Sequence, residues 1–286
     1  MDKCKKPKYN EIIFTKEEED RIIDMYLNQD ISTVGIGKLY CVSHKVIAKL
    51  LEKNNIPRTK TGNRKYHFDE HYFDSIDTPN KAYILGLLYA DGYNSIDKYT
   101  VRLQLQYTDK QILELIRSEL KLEKPLKFIK CSDKVASNGF VSKDMYQLEF
   151  YSKHICETLE NYGMVQNKSL VLQFPEFLDN NLYSHFIRGY YDGDGSLCPH
   201  YTKKGLFQSI LTITSTEDFC RTCLSIIRKY SGITGGNIYD SSSHNGITKV
   251  ISICGKKQNK TVLDWLYRDA ELFLQRKYDL YVQYLV

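Results

Sequence analysis

The sequence predicts an α+β protein made of two tandem, pseudo-twofold αββαββα repeats behind a small all-α domain. Three observations carry this. The stretch "AYILGLLYADGYNS" at 82–95 returns as "FIRGYYDGDGSL" at 186–197, so that with Asp91 set on Asp194, Gly86 falls on Gly189, Ala90 on Gly193 and Gly92 on Gly195. After each copy comes an alternating strand and then an amphipathic helix: "VRLQLQYTDKQILELIRSEL" follows the first and "SILTITSTEDFCRTCLSIIRKY" the second. The first sixty residues carry three short helical patterns and no strand pattern.

In that leading segment Thr15 is a predicted N-cap ahead of an acidic first turn, with Ile22, Ile23, Tyr26 and Leu27 at helical spacing. "STVGIGKLY" reads as a second helix, weakened by Gly35 and Gly37. Ser43 caps a third, with Val46, Ile47, Leu50 and Leu51 inward and Lys45, Lys49 and Lys53 on the opposite side. A tight turn at Tyr40–Val42 before a basic last helix resembles a helix-turn-helix DNA reader, although Cys41 stands where such turns often place glycine. A small bundle with a solvated lysine face fits the same pattern. The continuation "IPRTKTGNRKYHF" supplies Arg58, Lys60, Arg64 and Lys65, suited to following phosphates. The expected division is 1–60 for the helical domain, 61–78 for a basic linker, and 79–178 and 179–286 for the two repeats.

Each repeat opens on a helix. Thr78-Pro79 gives the first an N-cap and a proline at the first helical position, and Asn180 or Asn181 is expected to cap the second. Gly86 with Ala90, and Gly189 with Gly193, leave a flat stripe one turn long on each helix, which lets two backbones approach closely. If the helices pack there, Asp91 and Asp194 emerge side by side at one end. Neighbouring carboxylates must take up a proton or share a cation, and hard oxygen ligands at an accessible helix end favour Mg²⁺.

In these residues the chain resembles the LAGLIDADG homing endonuclease family, in the form where one chain carries both copies of the motif, over about residues 79–286. The resemblance implies two antiparallel sheets forming a saddle over DNA, and divalent metal held between the motif acids for cleavage of both strands. It implies Asp91 and Asp194 as metal ligands, with backbone carbonyls of Ala90 and Gly193 as further ligands. Tyr89 replaces the first acid of the motif, whereas Asp192 retains it. Lys168 and Lys277 match the basic residue near the end of each half, in a catalytic role or as solvated surface lysines. Ca²⁺ is the expected non-cleaving substitute. The expected partner is a long, non-palindromic double-stranded DNA target, bound by a monomer.

Base contacts are expected on the polar strand faces, at Arg102, Gln104 and Gln106 in the first half and Gln208, Thr212 and Thr214 in the second, with Lys203 and Lys204 in the preceding loop. Alternation alone also marks any sheet with one wet side. The net charge of +5 permits a polyanionic partner without requiring one. Two rival functions keep the same surface: a non-cleaving DNA-binding regulator and an RNA maturase.

Other patterns are set aside. "HFDEH" satisfies H-x-x-E-H, but the stretch is polar and turn-rich and lacks the long helix that would place both histidines on one face. Cys220 and Cys223 lie in a helical pattern without a second pair at zinc spacing and are assigned to core packing. The eight cysteines form no disulfide framework, and neither a membrane span nor a signal peptide is recognisable, so an intracellular protein is expected. Without a splice-junction Cys or Ser at its start or a His-Asn at its end the chain does not read as an intein, and a free-standing protein is expected.

Overall fold

The computed structural model describes residues 14–27, 31–56, 66–131, 143–241 and 247–286, and the chain divides into two compact units, Met1–His67 and Phe68–Val286. Arg58, Lys60, Arg64 and Lys65 lie outside the described residues.

The smaller unit contains α1 (Lys16–Leu27), α2 (Thr33–Leu39) and α3 (His44–Lys53). Thr15 and Glu18 form a capping box: the Glu18 N–H donates to Thr15 Oγ1 at 3.3 Å and the Thr15 N–H donates to the Glu18 carboxylate at 2.9 Å. Ser32 and Ser43 cap the next two helices through the N–H groups of Gly35 and Lys45. Ile22, Tyr26, Ile36, Val46, Ile47, Leu50 and Leu51 close a separate core, while Leu27, expected inside, is exposed. The turn between α2 and α3 explains two odd residues. Cys41 adopts φ +53°, the left-handed conformation that glycine usually supplies. A Cβ on Gly37 would stand 2.9 Å from the Val42 carbonyl, so glycine there lets the turn fold back on the helix.

The larger unit is the predicted duplication. Its first half runs α4 (Pro79–Asp91), β1 (Gly92–Ser95), β2 (Thr100–Gln106), α5 (Lys110–Glu119), β3 (Lys127–Ile129), β4 (Met145–Tyr151) and α6 (Lys153–Asn161). The second runs α7 (Tyr183–Asp194), β5 (Gly195–Tyr201), β6 (Phe207–Ser215), α8 (Glu217–Ser231), β7 (Asn237–Asp240), β8 (Lys249–Cys254) and α9 (Lys256–Tyr267), and α10 (Gln275–Leu285) follows. Each half has a four-stranded antiparallel sheet, in the orders β1-β2-β4-β3 and β5-β6-β8-β7. Alternate strand residues, Val101, Leu103 and Leu105 in β2 and Leu211 and Ile213 in β6, are buried in one core common to both halves. Cys220 and Cys223 are buried in that core on α8, as expected.

Thr78 caps α4 by accepting from the Lys81 N–H, with Pro79 in the first turn. The expected asparagine cap of α7 is not there. Asn180 to Leu182 form a single 3₁₀ turn that runs directly into the helix, and no side chain caps it.

Helices α4 and α7 meet backbone to backbone. A Cβ on Gly86 would lie 2.0 Å from the Phe186 carbonyl oxygen, and one on Gly189 would lie 2.0 Å from that of Tyr83. These two contacts are each other's image under the repeat, since Tyr83 and Phe186 occupy equivalent positions. One turn on, a Cβ at Gly193 would overlap Ala90 Cβ at 2.2 Å. The four small residues singled out by the sequence thus form the seam between the halves.

This seam has no slack, because the obstructing atoms are helix backbone rather than movable side chains. Gly86→Val is expected to force α4 and α7 apart and to destabilise the protein by about 3 kcal/mol or more. The urea midpoint, compared with that of Leu115→Val on an exposed helix position, reads the difference.

Candidate active site

Both motif helices end at their acids. Gly92 and Gly195 follow as the first strand residues, and each has an extended backbone, so glycine is not needed there for its φ. It is needed for space: a Cβ would stand 2.5 Å from the Leu88 carbonyl in one case and 2.6 Å from the Tyr191 carbonyl in the other. Asp91 and Asp194 therefore leave the seam together. A Cβ on Gly193 would lie 3.0 Å from Asp91 Oδ2, which places the Asp91 carboxylate against the end of the other motif helix.

Their electrostatics follow from this crowding. Both acids are reached by solvent on one side but hemmed in by protein on the others. Burial pushes Asp91 up to about 6, and the nearby Asp194 charge adds to the shift, against the pull of Lys277 and Lys168. Asp194 is also raised by burial, eased by Lys168, the Tyr190 hydroxyl and Lys277. Two carboxylates crowded by protein and near each other are a poor place for two negative charges and a good one for a divalent cation.

The two expected lysines occupy equivalent places. Lys168 Nζ donates to the carbonyls of Ala90 (3.1 Å) and Gly92 (2.7 Å), and Lys277 Nζ donates to those of Tyr191 (2.5 Å) and Gly195 (2.6 Å). Each thus caps the carbonyl end of its own motif helix, where a positive charge is favoured. Neither is a solvated surface lysine. Burial lowers Lys168, and lowers Lys277 to about 8 against the opposing pull of Asp192.

The segments carrying these lysines are fastened by the residue two before each acid. In the second half Asp192, fully buried, accepts from the Tyr83 hydroxyl and from the Leu274 N–H, both at 2.8 Å. Leu274 immediately precedes α10, which carries Lys277. In the first half Tyr89 stands in the same place, and its hydroxyl donates to the Tyr162 carbonyl ahead of Lys168. Asp192 is accordingly turned into the core. Burial raises it to about 6, and its Leu274 and Tyr83 hydrogen bonds hold it back.

Arg188 is a functional support that the sequence pattern did not flag. Wholly buried in α7, it donates to the carbonyls of Leu272 (2.9 Å) and Leu266 (2.8 Å) and meets His185 Nδ1 at 2.9 Å, with its guanidinium 5.2 Å from the centre of the Tyr83 ring. Burial and the Arg188 charge hold His185 down to about 4, so it is a neutral acceptor. Arg188 and Asp192 together pin the loop between α9 and α10.

The polar strand faces are as read. Arg102, Gln104 and Gln106 alternate with buried residues on β2, and Thr212 and Thr214 do so on β6, with Gln208 exposed near its start. Arg102 stacks on Tyr93 at 4.6 Å, Gln104 donates to Gln147 at 2.6 Å and Gln106 to Asp109 at 3.3 Å. Lys203 and Lys204 are exposed in the β5–β6 turn, and Lys45 and Lys49 are exposed on α3 of the smaller unit.

Solved structures similar to this chain include I-LtrWI bound to target DNA (14% identity, 74% of this chain and 88% of that one, TM-score 0.45). I-GzeII in complex with a DNA target gives 12% identity over 73% of this chain and 89% of that one, TM-score 0.48. Many of this chain's structural neighbours are LAGLIDADG homing endonucleases. A further neighbour is I-SmaMI bound to an uncleaved DNA target in the presence of calcium ions, at 11% identity over 72% of this chain and 90% of that one, TM-score 0.47. No family model matches the sequence. Among curated proteins, the DNA-directed RNA polymerase subunit Rpo1C of Methanocaldococcus jannaschii is 26% identical over 116 residues, which are 41% of this chain and 12% of that protein. Among the described residues no helix is long and apolar enough to cross a membrane.

The raised carboxyl of Asp91 has a sign consequence for stability. A folded-state pKa above the unfolded one gives stability that is present below about 4 and lost as pH rises through about 6. Asp91→Asn should therefore raise the stability of the metal-free protein at pH 8 by about 1 kcal/mol after allowance for solvent screening. The gain should vanish below pH 4, as read by thermal melts across that range.

Proposed function

We propose that this protein is a site-specific, divalent-metal-dependent homing endonuclease that cuts both strands of a long, non-palindromic DNA duplex, acting as a monomer. The observation that carries this reading is the pair of repeat-related acids, Asp91 and Asp194, held at one end of a shared helix seam with one lysine of each half beside them. Two strands need two hydrolytic centres, and the duplication supplies both within one chain. The likeness to DNA-bound homing endonucleases agrees with it.

The donor set fits a hard cation: two carboxylates, with the carbonyls of Ala90 and Gly193 at the same helix ends. The Ala90 carbonyl already accepts from Lys168, but a carbonyl has two lone pairs and can serve both. Mg²⁺ is the assigned ion, with Ca²⁺ as a non-cleaving substitute, and when bound it would supply Lewis-acid polarisation of the phosphodiester and its attacking water. The protein's own residues do the rest. Asp91 and Asp194 fix the position of charge between the strands. Lys168 and Lys277, anchored to helix-end carbonyls, place positive charge where a phosphorane develops negative charge. Asp192 and Arg188 hold the Lys277 segment in place and touch no reacting atom.

The remaining parts would set specificity. Arg102, Gln104, Gln106, Gln208, Thr212 and Thr214 present hydrogen-bonding groups on the two sheets, with Lys203 and Lys204 for phosphate. Residues 1–60, through Lys45 and Lys49, would add helix-turn-helix contacts to flanking DNA, and Arg58, Lys60, Arg64 and Lys65 of the 61–78 segment would follow the backbone. Within that segment, residues from Phe68 onward pack with the larger unit.

The deciding experiment is selection of cleaved molecules from a randomised duplex library in Mg²⁺. One long recovered sequence, with double-strand cutting lost in Asp194→Asn while Ca²⁺-supported binding persists, is the expected result. Selective binding without cutting by the native protein would replace the endonuclease with a regulator.

Two finer outcomes follow from the geometry. Asp91→Asn and Asp194→Asn should each lower cleavage by a factor of about 10³ or more, whereas Asp192→Asn, which removes a core acceptor, should lower the melting temperature more than the cleavage rate of the folded enzyme. At subsaturating Mg²⁺ the cleavage rate should fall about tenfold per pH unit below about 6, as Asp91 takes up its proton.

A further inference from the structure

Away from the motif acids, two histidines from distant parts of the chain converge on one carboxylate. His71 Nδ1 lies 2.7 Å from Asp74 Oδ2, and His154 Nε2 lies 2.5 Å from Asp74 Oδ1. The imidazole rings are 5.0 Å apart, and the candidate ligand atoms of all three residues lie within 4.8 Å of one another. Of the H-x-x-E-H pattern in the sequence, only its last histidine takes part; the partner comes from the first turn of α6.

We propose that His71, Asp74 and His154 form a binding site for a divalent transition cation of the Zn²⁺ class, separate from the cation assigned to Asp91 and Asp194. Two imidazole nitrogens and one carboxylate oxygen are the donor set that Zn²⁺ takes when it keeps a position for water, whereas Mg²⁺ prefers an all-oxygen shell. Side-chain exposures of 77%, 45% and 44% for His71, His154 and Asp74 leave room for that water and let the side chains turn. Bond lengths of about 2.0–2.2 Å to the metal put neighbouring ligand atoms somewhat farther apart than the present hydrogen bonds. The ion would therefore replace both hydrogen bonds by a small outward rotation of exposed groups.

The backbone beneath the three residues is held independently of them, which a surface ion pair does not require. Phe73, between the two ligands of the turn, is wholly buried. The Tyr162 hydroxyl reaches the Phe73 carbonyl at 3.0 Å and the Asp74 carbonyl at 3.3 Å. The His71 N–H donates to Asp69 Oδ1 at 3.0 Å. Ser152 Oγ caps α6 through the Ile155 N–H and also donates to Glu70 at 3.1 Å, which ties the start of the His154 helix to the turn that carries His71. Support of this kind is what positions metal ligands in built sites. A bound ion would cross-link the segment entering α4 to α6, and so stabilise the first half without touching the motif acids.

The test uses the full chain, stripped with chelator and titrated with Zn²⁺ by calorimetry and with Co²⁺ by visible absorption. About one equivalent should bind with nitrogen-ligand d–d bands, raise the melting temperature, and resist millimolar Mg²⁺. Affinity should fall by about 100-fold or more in His154→Ala and in His71→Ala, while Asp91→Asn/Asp194→Asn binds as the native chain does. Both histidines are exposed, so unchanged circular dichroism of the metal-free variants checks their folding, and His154→Asn serves as a second, closer substitution. Absence of a stoichiometric Co²⁺ complex, or binding unaltered by loss of either histidine, would overturn the site.

Discussion

Everything in the larger unit depends on one contact: the backbone of α4 against the backbone of α7 at Gly86 and Gly189. Helices normally pack with side chains between them at axis separations of 8–10 Å. Here the carbonyls of Phe186 and Tyr83 occupy the space where a Cβ would be. The close approach brings the helix ends together, and the helix ends carry the acids. Crowding of Asp91 and Asp194, their raised carboxyl pKa values and the fit of a divalent cation are all downstream of two missing side chains.

Around this seam the halves use the same layout with different residues. The position two before the acid is Tyr89 in one half and Asp192 in the other, yet each reaches across to fix the segment that delivers its lysine. The second half invests more buried polarity, with Arg188, His185 and Asp192 clustered under the loop before α10, and Lys277 is correspondingly the more deeply buried of the two lysines. The network is incompletely paired, since Arg188 Nη2 and Asp192 Oδ1 have no hydrogen-bond partner, so it carries a desolvation cost alongside its positioning role.

Much of this was legible in the sequence, for definable reasons. The duplication, the small residues of the seam, the paired acids and the caps at Thr15, Thr78 and Ser43 are local or periodic signals, and the structure has them where the pattern put them. The misses are tertiary. Arg188 sits in what reads as an apolar run, and its acceptors are carbonyls some eighty residues away. The burial of Lys168 and Lys277 likewise depends on distant helix-end carbonyls, and His154 gives no local sign that it will meet Asp74. The asparagine cap of α7 failed because Leu182 extends the preceding turn straight into the helix, leaving no extended residue to act as a cap.

A seam made of main-chain atoms has a property that one made of interlocking side chains lacks. Its closest contacts need only a small residue at each end of one turn, Gly86 with Ala90 on α4 and Gly189 with Gly193 on α7, and are made with carbonyls that any residue type supplies. Each sheet can therefore drift in composition, one half at a time, while the geometry between the acids stays fixed. The two halves accordingly differ in strand length, four residues in β1 against seven in β5, and in their polar faces, while the backbone contact that joins them is the same from either side.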